Sequence, residues 1–329
     1  MTDGDWPSVA VVIPSHSRIA ELEEALASVA AQDYPGRVHT YLVYWPRPEI
    51  EPLLAGLGDR VTPISSTNED GRNSIAVKRN LGLRNSTEDL VSFLDDDDIW
   101  DPRKLSLQIE AMGCEPAAVA VASRSLSFTD ELIWPDPLEE ERWCDFSRFE
   151  LLGFAGFPTS GMIVQGHVAR DLEFDERPEW FGVDDYEFRS RLWTHGPMRQ
   201  MNGIHLGYRV GSKSVSSDNR RMMAARVLSV LSEVVRLPGG WLVPRLVALY
   251  VVVGEAIYVK GDPPSQLSDD LLSTSLTGRF FGPVDRVILL VVRISWRISF
   301  DSLLLRRLLW KVLKGAQAID RWRIRCIVR

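Results

Sequence analysis

The chain has 329 residues, and 45% of them are hydrophobic, which is enough for a sizeable core in one large domain or two ordinary ones. The net charge of −7 is unevenly divided, because residues 279–329 carry a net charge of +9 and residues 1–278 a net charge of −16. An acidic body is poorly suited to binding phosphate backbones, so we expect no nucleic-acid partner.

Cysteine usage and the N-terminus both point to a reducing compartment. Cys114, Cys144 and Cys326 are odd in number and far apart, which argues against a disulfide framework and against a zinc site. The first residues include Asp3 and Asp5 and no basic segment leading into an apolar stretch, so no secretory signal is predicted. We therefore expect a cytoplasmic protein.

The first part of the chain alternates short apolar runs with helical patterns. Strands are predicted at residues 9–13, 38–43, 61–64 and 90–94, and helices at about residues 22–29, 75–83 and after an N-cap at Asp101-Pro102. This alternation predicts an α/β fold with a mostly parallel sheet and helices on both faces. Ligands of such sheets bind at the carboxyl ends of the strands, where residues 14–18 and 95–98 fall.

The second part is less regular. Residues 124–150 are interpreted as a surface excursion, followed by a strand at 162–164 and a helix from about Asp184 to His195 that ends at Gly196-Pro197. Beyond Asp218 the composition changes to long apolar and basic helical stretches. We predict one domain over residues 1–218, with halves of about 1–123 and 151–218, and a helical C-terminal region over 219–329.

Four consecutive carboxylates follow the apolar run at residues 91–94, namely Asp95, Asp96, Asp97 and Asp98. Such clustering is electrostatically costly unless a cation compensates it, and oxygen ligands of this kind suit Mg²⁺ or Mn²⁺ shared with a diphosphate. The alternative is a solvated acidic loop. The position after a buried strand favours the metal site.

Asp184 and Asp185 open the later helix, where the helix dipole alone could explain two carboxylates. A transferase also needs a carboxylate to take a proton from an acceptor hydroxyl. The pair lies among Trp180, Phe181 and Tyr186, which are candidates for a sugar platform.

Six short segments follow one another along residues 8–217: VVIPSHSR at 11–18, VKRNLG at 77–82, FLDDDDIW at 93–100, TSGM at 159–162, FDE at 174–176 and VDDYEF at 183–188. Together they resemble the family 2 glycosyltransferases, which are inverting enzymes of the glycosyltransferase A fold. The resemblance implies hexosyl transfer from a nucleotide-diphosphate sugar, with Mn²⁺ or Mg²⁺, by direct displacement that inverts the anomeric centre.

The resemblance also implies roles for individual residues. Asp97 is the expected direct metal ligand together with Asp95, and Asp185 is the expected general base. The remaining expected donor contacts are Pro14, Ser15, His16, Arg18, Arg79, Asp95 and Asp96. The expected acceptor-side residues are Trp180, Asp184 and Tyr186.

Two departures from the family pattern matter. The second strand often ends in Asp-Asp-Gly-Ser in the family, where an acidic residue contacts the base, whereas residues 42–47 here are LVYWPR, so uridine recognition is not implied. Tyr44 and Trp45 are candidates for stacking on a base, with simple packing as the alternative. Many relatives have a histidine metal ligand where this chain has Gly211; His205 is a candidate replacement, and water is another.

Two alternative functions stay open at this stage. A metal-dependent nucleotidyl or phosphoryl transferase would also use clustered aspartates, although residues 95–98 include no basic side chain to hold a phosphate. A catalytically inactive, membrane-associated binding module is the other, and the presence of both the aspartate cluster and Asp185 argues against it. The sugar, the nucleotide and the acceptor, whether glycan, lipid-linked, small-molecule or protein, are not fixed by the sequence.

No apolar run in the C-terminal region is long enough to span a bilayer. The uncharged run between Arg245 and Glu255, residues 246–254, has nine residues, whereas a transmembrane helix needs about 20. Basic residues and tryptophans over 283–329 instead favour peripheral attachment to an anionic membrane, such as the inner face of the cytoplasmic membrane. Packing onto the first domain or in a homo-oligomer is the alternative.

Overall fold

The computed structural model describes residues 6–67, 74–114, 117–145, 157–182 and 184–211. All of them lie in the first of two units into which the chain divides, Met1–Ser214, and the second unit, Val215–Arg329, lies outside the described residues. The predicted boundary near Asp218 and the predicted helical region over 219–329 therefore stay predictions. No helix in the described part of the chain is long and apolar enough to cross a membrane.

The described residues form one mixed sheet between helices. Its strands in chain order are β1 (Val9–Ser15), β2 (Val38–Tyr44), β3 (Val61–Ser65), β4 (Leu90–Phe93), β5 (Ile99–Trp100), β6 (Ala120–Phe128), β7 (Trp143–Asp145), β8 (Met162–Gln165) and β9 (Met198–Arg209). Their spatial order is β3-β2-β1-β4-β8-β6-β9-β5, and β7 pairs with β9.

The first half of the sheet is parallel, as the alternation of strands and helices predicts. Strand β1 pairs in parallel with β2 and β4, and β2 pairs in parallel with β3. Val9 is level with both Val38 and Leu90, so the three central strands end at the same edge of the sheet. This register brings the segment after β1 and the aspartates after β4 together.

The second half of the sheet differs from the prediction. Strand β8 is antiparallel to β4 and β6, and β9 pairs in parallel with β6. The interpretation of residues 124–150 as irregular is wrong for residues 124–128 and 143–145, which belong to β6 and β7. The outer residues of β6 are polar and partly exposed, and their strand state depends on pairing with β9, which local sequence does not reveal.

The helices lie on both faces of the sheet: α1 (Ile19–Ala30), α2 (Glu51–Ala55), α3 (Ser74–Asn85), α4 (Lys104–Gly113), α5 (Gly166–Leu172) and α6 (Asp184–Leu192). Alternate residues of β1 enter two separate cores: Ala10 and Val12 join the core beside α3 and α6, while Val11 joins the core beside α1 and α4. Burial on both faces explains why β1 is apolar throughout.

Helix α4 begins slightly later than the sequence indicates. Its first residue is Lys104, whereas the Asp101-Pro102 pattern places the start at Pro102. Asp101 still acts at this end of the helix, because its Oδ1 accepts a hydrogen bond of 3.0 Å from the backbone N–H of Arg103.

Candidate functional site

The aspartates after β4 are tied to the segment after β1. The backbone N–H of His16 donates a hydrogen bond of 3.0 Å to Asp96 Oδ2, and the Arg18 guanidinium forms an ion pair with Asp97. The parallel register of β1 and β4 puts both loops at one edge of the sheet. The segments predicted to bind the donor and the metal, residues 14–18 and 95–97, are thus adjacent in space.

Arg79 connects the aspartate cluster to the beginning of α6. Its Nη2 donates to Asp95 Oδ1 at 2.8 Å, and its Nη1 donates to Asp184 Oδ2 at 2.7 Å. Burial lowers the pKa of this guanidinium, but the carboxylates of Asp95, Asp184 and Asp185 raise it more, so the net shift is upward. A permanently charged, buried arginine therefore holds together two carboxylate groups that lie far apart in sequence.

Burial makes full ionisation of the aspartates after β4 unfavourable. It raises the pKa of Asp96 and raises the pKa of Asp97 to about 6, and the neighbouring Asp95 charge adds to both shifts, while Arg18 opposes them. A cation bound among these oxygens would favour the ionised forms. The electrostatics of the loop thus suit a positively charged ligand.

Asp98 has a different role from its three neighbours. It is fully buried, and its Oδ1 accepts a hydrogen bond of 3.0 Å from the backbone N–H of Arg209 at the end of β9. The Arg209 Nε also donates to the carbonyl oxygen of Asp97 at 2.9 Å. Asp98 therefore anchors β9 to the aspartate loop.

The donor set of Asp95, Asp96 and Asp97 fits a divalent cation that prefers carboxylate oxygens. Within the described ranges, no three acidic, histidine or cysteine side chains are arranged to hold a metal ion by themselves. Oxygens of a bound diphosphate and water would have to complete the coordination, as is common for Mg²⁺ beside phosphates.

The two aspartates at the start of α6 are in unlike environments. The Asp184 side chain is 3% exposed and is bound by Arg79, whereas the Asp185 side chain is 28% exposed. Asp185 Oδ1 accepts from the backbone N–H of Tyr186 at 2.7 Å, and its Oδ2 lies 3.3 Å from Arg189 Nη2. Asp185 is thus the more accessible carboxylate of the pair.

The predicted aromatic platform is not an open surface. Trp180 and Tyr186 are only 2% and 8% exposed, and the guanidiniums of Arg177 and Arg189 lie over their rings at 5.8 and 5.6 Å. The sequence shows that aromatic residues surround Asp184 and Asp185 but not which way they point. The structure contradicts an exposed sugar platform formed by Trp180 and Tyr186.

His205 is held between two carboxylates. Its Nε2 lies 3.1 Å from Glu141 Oε1, its Nδ1 lies 3.4 Å from Asp101 Oδ1, and the side chain is 1% exposed. These contacts argue against the expectation that His205 replaces the third metal ligand. Its closeness to Gly211 in sequence suggested that role, but sequence does not show that its ring is bound between Glu141 and Asp101.

Three polar residues contribute to this region without having been singled out from the sequence. Lys78 Nζ donates to the carbonyl oxygen of Ser15 at 2.6 Å, which supports the end of β1. Ser160 Oγ accepts from the backbone N–H of Asp95 at 3.0 Å, which fixes the start of the aspartate loop. Arg47 lies in the loop after β2. Lys78 and Ser160 lie within the family-like segments at 77–82 and 159–162, and this position was the only sequence feature that could have indicated them.

Comparisons with known proteins identify a similar family and a similar fold. Residues 10–171 match the model of glycosyl transferase family 2. An N-acetylglucosaminyltransferase from Mesorhizobium japonicum is 31% identical over 146 residues, which cover 39% of this chain and 32% of that protein. The chain thus spans about a third of the length of this relative.

Solved structures show the same fold. S. aureus TarS 1–349 in complex with UDP-GlcNAc superposes with a TM-score of 0.59 at 12% identity, covering 82% of this chain and 77% of that one. The mannosyltransferase PcManGT from Pyrobaculum calidifontis, in complex with GDP-Man and Mn²⁺, superposes with a TM-score of 0.51 at 16% identity, covering 88% and 87%. Residues 10–171, about half of the chain, are thus similar to glycosyl transferase family 2, and the described sheet and helices have the fold of these solved structures.

Proposed function

We propose that the protein is an inverting glycosyltransferase that moves a sugar from a nucleotide-diphosphate donor to an acceptor hydroxyl. The family match supports the reaction class, and the site supports the division of roles among residues. The solved structures named above hold UDP-GlcNAc or GDP-Man, and the curated relative is named an N-acetylglucosaminyltransferase, so a nucleotide sugar is the donor class that we propose for this chain.

The observation that carries the proposal is the double contact of Arg79. One guanidinium binds Asp95 of the aspartate loop at 2.8 Å and Asp184 of α6 at 2.7 Å. A donor diphosphate at the aspartates and an acceptor activated at α6 would therefore lie within the reach of one side chain. Such proximity of two reactants is a large part of what a transferase must supply.

Asp97 and Asp95 are the residues that we expect to hold Mn²⁺ or Mg²⁺. The cation, when bound, would neutralise the charge that develops on the departing nucleoside diphosphate. Arg18 and Arg79 are positioned beside the same carboxylates and would orient the donor. Ser160 and Asp98 keep the loop in place through their backbone contacts.

Asp185 is the residue that we expect to accept the proton of the attacking hydroxyl. It is more exposed than Asp184, and its Oδ2 lies 3.3 Å from Arg189 Nη2. Attack from the side opposite the leaving diphosphate would invert the anomeric centre. The nearly buried Asp184 is better placed to hold Arg79 than to meet an acceptor.

The first prediction tests the metal and donor site. Asp97→Asn should lower the transfer rate by roughly 10²-fold or more, because it removes a charged ligand from a site that stabilises developing charge. The measurement is the release of nucleoside diphosphate with a panel of nucleotide sugars, with Mn²⁺ or Mg²⁺ and with EDTA.

The exposed Asp59→Asn variant is the matched control and should keep wild-type activity. Full activity in EDTA, or in Asp97→Asn, would remove the metal assignment. Release of a sugar 1-phosphate instead of a nucleoside diphosphate would replace the proposal with a nucleotidyl transferase.

A further inference from the structure

Arg189 is a nearly buried arginine that lies one helical turn after Asp185 on α6. Its side chain is 6% exposed, and its Nη2 lies 3.3 Å from Asp185 Oδ2. Its Nε also donates to the carbonyl oxygen of Asp185 at 3.1 Å. An acidic residue four positions before a basic one is the arrangement in which such pairs meet on one helix face. One guanidinium thus contacts both the main chain and the side chain of the expected base.

A second set of contacts fixes this guanidinium to a segment distant in sequence. Its Nη1 donates to the carbonyl oxygen of Phe157 at 2.6 Å, across a separation of 32 positions. The guanidinium also lies 4.9 Å from the centre of the Phe157 ring and 5.6 Å from that of the Tyr186 ring. The planar fork of an arginine holds several acceptors in one geometry, and aromatic faces attract it further. Arg189 is therefore a fixed point beside Asp185.

These contacts define the orientation of the Asp185 carboxylate. Its Oδ1 accepts from the backbone N–H of Tyr186 at 2.7 Å, and its Oδ2 is the oxygen at Arg189. Each oxygen thus has a partner in the protein, although the side chain is 28% exposed. A general base must lie within hydrogen-bond reach of the proton that it accepts, and a displacement of about 1 Å can cost about 10²-fold in rate.

Arg191, two residues further along α6, is arranged in the same way around a different carboxylate. Its Nε and Nη2 each lie 2.7 Å from an oxygen of Glu187, four positions earlier. Its Nη1 and Nη2 also donate to the carbonyl oxygens of Leu172 and Glu173 at 2.6 Å. The Glu187 side chain is only 4% exposed, so it is not accessible to an acceptor. The same arrangement thus holds a buried carboxylate at Arg191 and an accessible one at Arg189.

We propose that Arg189 is a positioning residue for turnover, which holds the Asp185 carboxylate in the orientation that accepts the proton of the attacking hydroxyl. This inference rests on the proposed function, since it takes Asp185 to be the general base. Arg189 acts through Asp185 and does not itself contact the donor. None of the contacts named above involves the donor-side residues 14–18 or 95–97, so loss of Arg189 should lower kcat and leave donor affinity unchanged.

The test is steady-state kinetics of the full-length protein with Mn²⁺ and the nucleotide sugar that wild type cleaves fastest in a panel of UDP-, GDP-, ADP- and dTDP-sugars. Release of the nucleoside diphosphate is measured with water in the place of the acceptor. Arg189→Met keeps much of the side-chain volume but cannot donate a hydrogen bond. It should lower kcat by about 10- to 100-fold, whereas the KM for the donor should stay within about twofold of wild type.

A double-mutant cycle distinguishes positioning from a general structural role. In the Asp185→Asn background, Arg189→Met should change kcat by less than about twofold, because the group that it positions is already absent. A purely structural contribution would lower kcat by the same factor in both backgrounds. Equal factors would therefore overturn the inference.

Arg191→Met is the matched control on the same helix. It removes a partly buried ion pair and two carbonyl contacts, so it should lower the midpoint of urea unfolding. Its kcat per folded enzyme should stay within about twofold of wild type. An equal loss of kcat in Arg191→Met would show that any loosening of α6 impairs turnover and would overturn the inference.

Arg189→Lys takes the place of Arg189→Met if the latter does not fold. A single ammonium lacks the fork that binds Phe157 and Asp185 together, so the same kinetic results are expected.

The remaining outcomes separate this inference from the proposed function. Wild type that releases no nucleoside diphosphate from any sugar of the panel would overturn both. Unchanged kcat in Asp185→Asn would overturn the assignment of the base and the inference with it. Loss of kcat in Asp185→Asn with unchanged kcat in Arg189→Met would overturn the inference alone.

Discussion

The neighbours Asp184 and Asp185 show how two identical side chains acquire different chemistry. Asp184 faces Arg79 and is almost fully buried, while Asp185 is 28% exposed and lies 3.3 Å from Arg189. A substitution at Asp184 therefore disturbs a buried ion pair and the position of Arg79. A substitution at Asp185 removes an accessible proton acceptor and leaves that pair intact.

The second prediction follows from this difference. Asp185→Asn should lower kcat by about 10²- to 10⁴-fold, the usual contribution of a general base, because an amide cannot accept the proton. Donor affinity and the midpoint of urea unfolding should stay close to wild type. The measurements are steady-state kinetics, titration of the donor and denaturation.

Asp184→Asn is the comparison variant and should lose stability and donor affinity, because Arg79 loses a buried charged partner. Near-normal turnover in Asp185→Asn together with a specific loss of kcat in Asp184→Asn would show that Asp184, and not Asp185, is the general base.

At the scale of elements, helix α3 lies unusually close to the central strand. A Cβ built on Gly82 would lie 2.3 Å from Cγ1 and 2.8 Å from Cγ2 of Val12, which is fully buried on β1. Glycine thus allows the helix to approach the sheet at the point where Lys78 and Arg79 reach the site. In the family-like segment at 77–82, Gly82 packs against β1, and Lys78 and Arg79 contact residues of the candidate site.

The third prediction concerns this contact. Helix propensity alone would make Gly82→Ala more stable by about 1 kcal/mol. We expect a loss of about 1–3 kcal/mol instead, because a new methyl group would overlap a rigid, branched side chain in a packed core. Urea denaturation measures the difference.

Gly58→Ala is the control, since a Cβ there meets nothing within 4 Å, and its effect should stay within about 0.5 kcal/mol. Adding Val12→Ala to Gly82→Ala should recover part of the loss. A Gly82→Ala variant as stable as wild type would show that the helix moves away at little cost.

The fourth prediction concerns His205, which connects β9 with Asp101 and with Glu141 in the irregular segment over residues 129–142. Burial lowers the pKa of His205, but the two carboxylates raise it more, so its folded pKa lies above the ordinary 6.5. The folded state then binds the proton more tightly than the unfolded state. Its stabilising contribution is full below pH 6.5 and is lost as the pH rises through the folded pKa.

His205→Gln should therefore be less stable than wild type at pH 6, and this difference should shrink as the pH is raised. Urea unfolding of both proteins between pH 6 and pH 9 measures it, with the exposed His167→Gln variant as the control. A difference that stays constant over this range would show that His205 is neutral in the folded protein.

For the whole molecule, the division of charge is the main feature that the described residues do not explain. Residues 279–329 carry the net charge of +9, with Trp296, Trp310 and Trp322 among their basic residues, and they lie outside the described part of the chain. Each basic residue near an anionic surface contributes about 1 kcal/mol, so half of the excess would suffice for peripheral binding.

The fifth prediction is that the full-length protein pellets with anionic liposomes at low salt and is released at high salt, because the attraction is screened. A chain that ends after Gly282 should stay in the supernatant, and neutral liposomes serve as the control. Absence of binding at low salt would reject the membrane interpretation and favour packing within the protein or in an oligomer.

The sequence by itself determined the parallel half of the sheet and the location of the candidate site. Strands β1 and β4 are mostly apolar because they are buried on both faces, and helix α1 buries Leu22, Ala25 and Val29 at helical spacing. The aspartates after β4 and the carboxylates at the start of α6 were identifiable because clustered charges after buried segments need compensation. These features depend on local pattern alone.

Tertiary structure decided the rest. Strands β6 and β9 have mixed polarity and no clear sequence pattern, and they form strands because they pair with each other. Trp180 and His205 are buried and do not take the roles expected from the sequence. The link from Asp95 through Arg79 to Asp184 joins residues separated by up to 105 positions. Such contacts arise from the crossing of distant segments, and no local periodicity or spacing encodes the direction in which each side chain finally points.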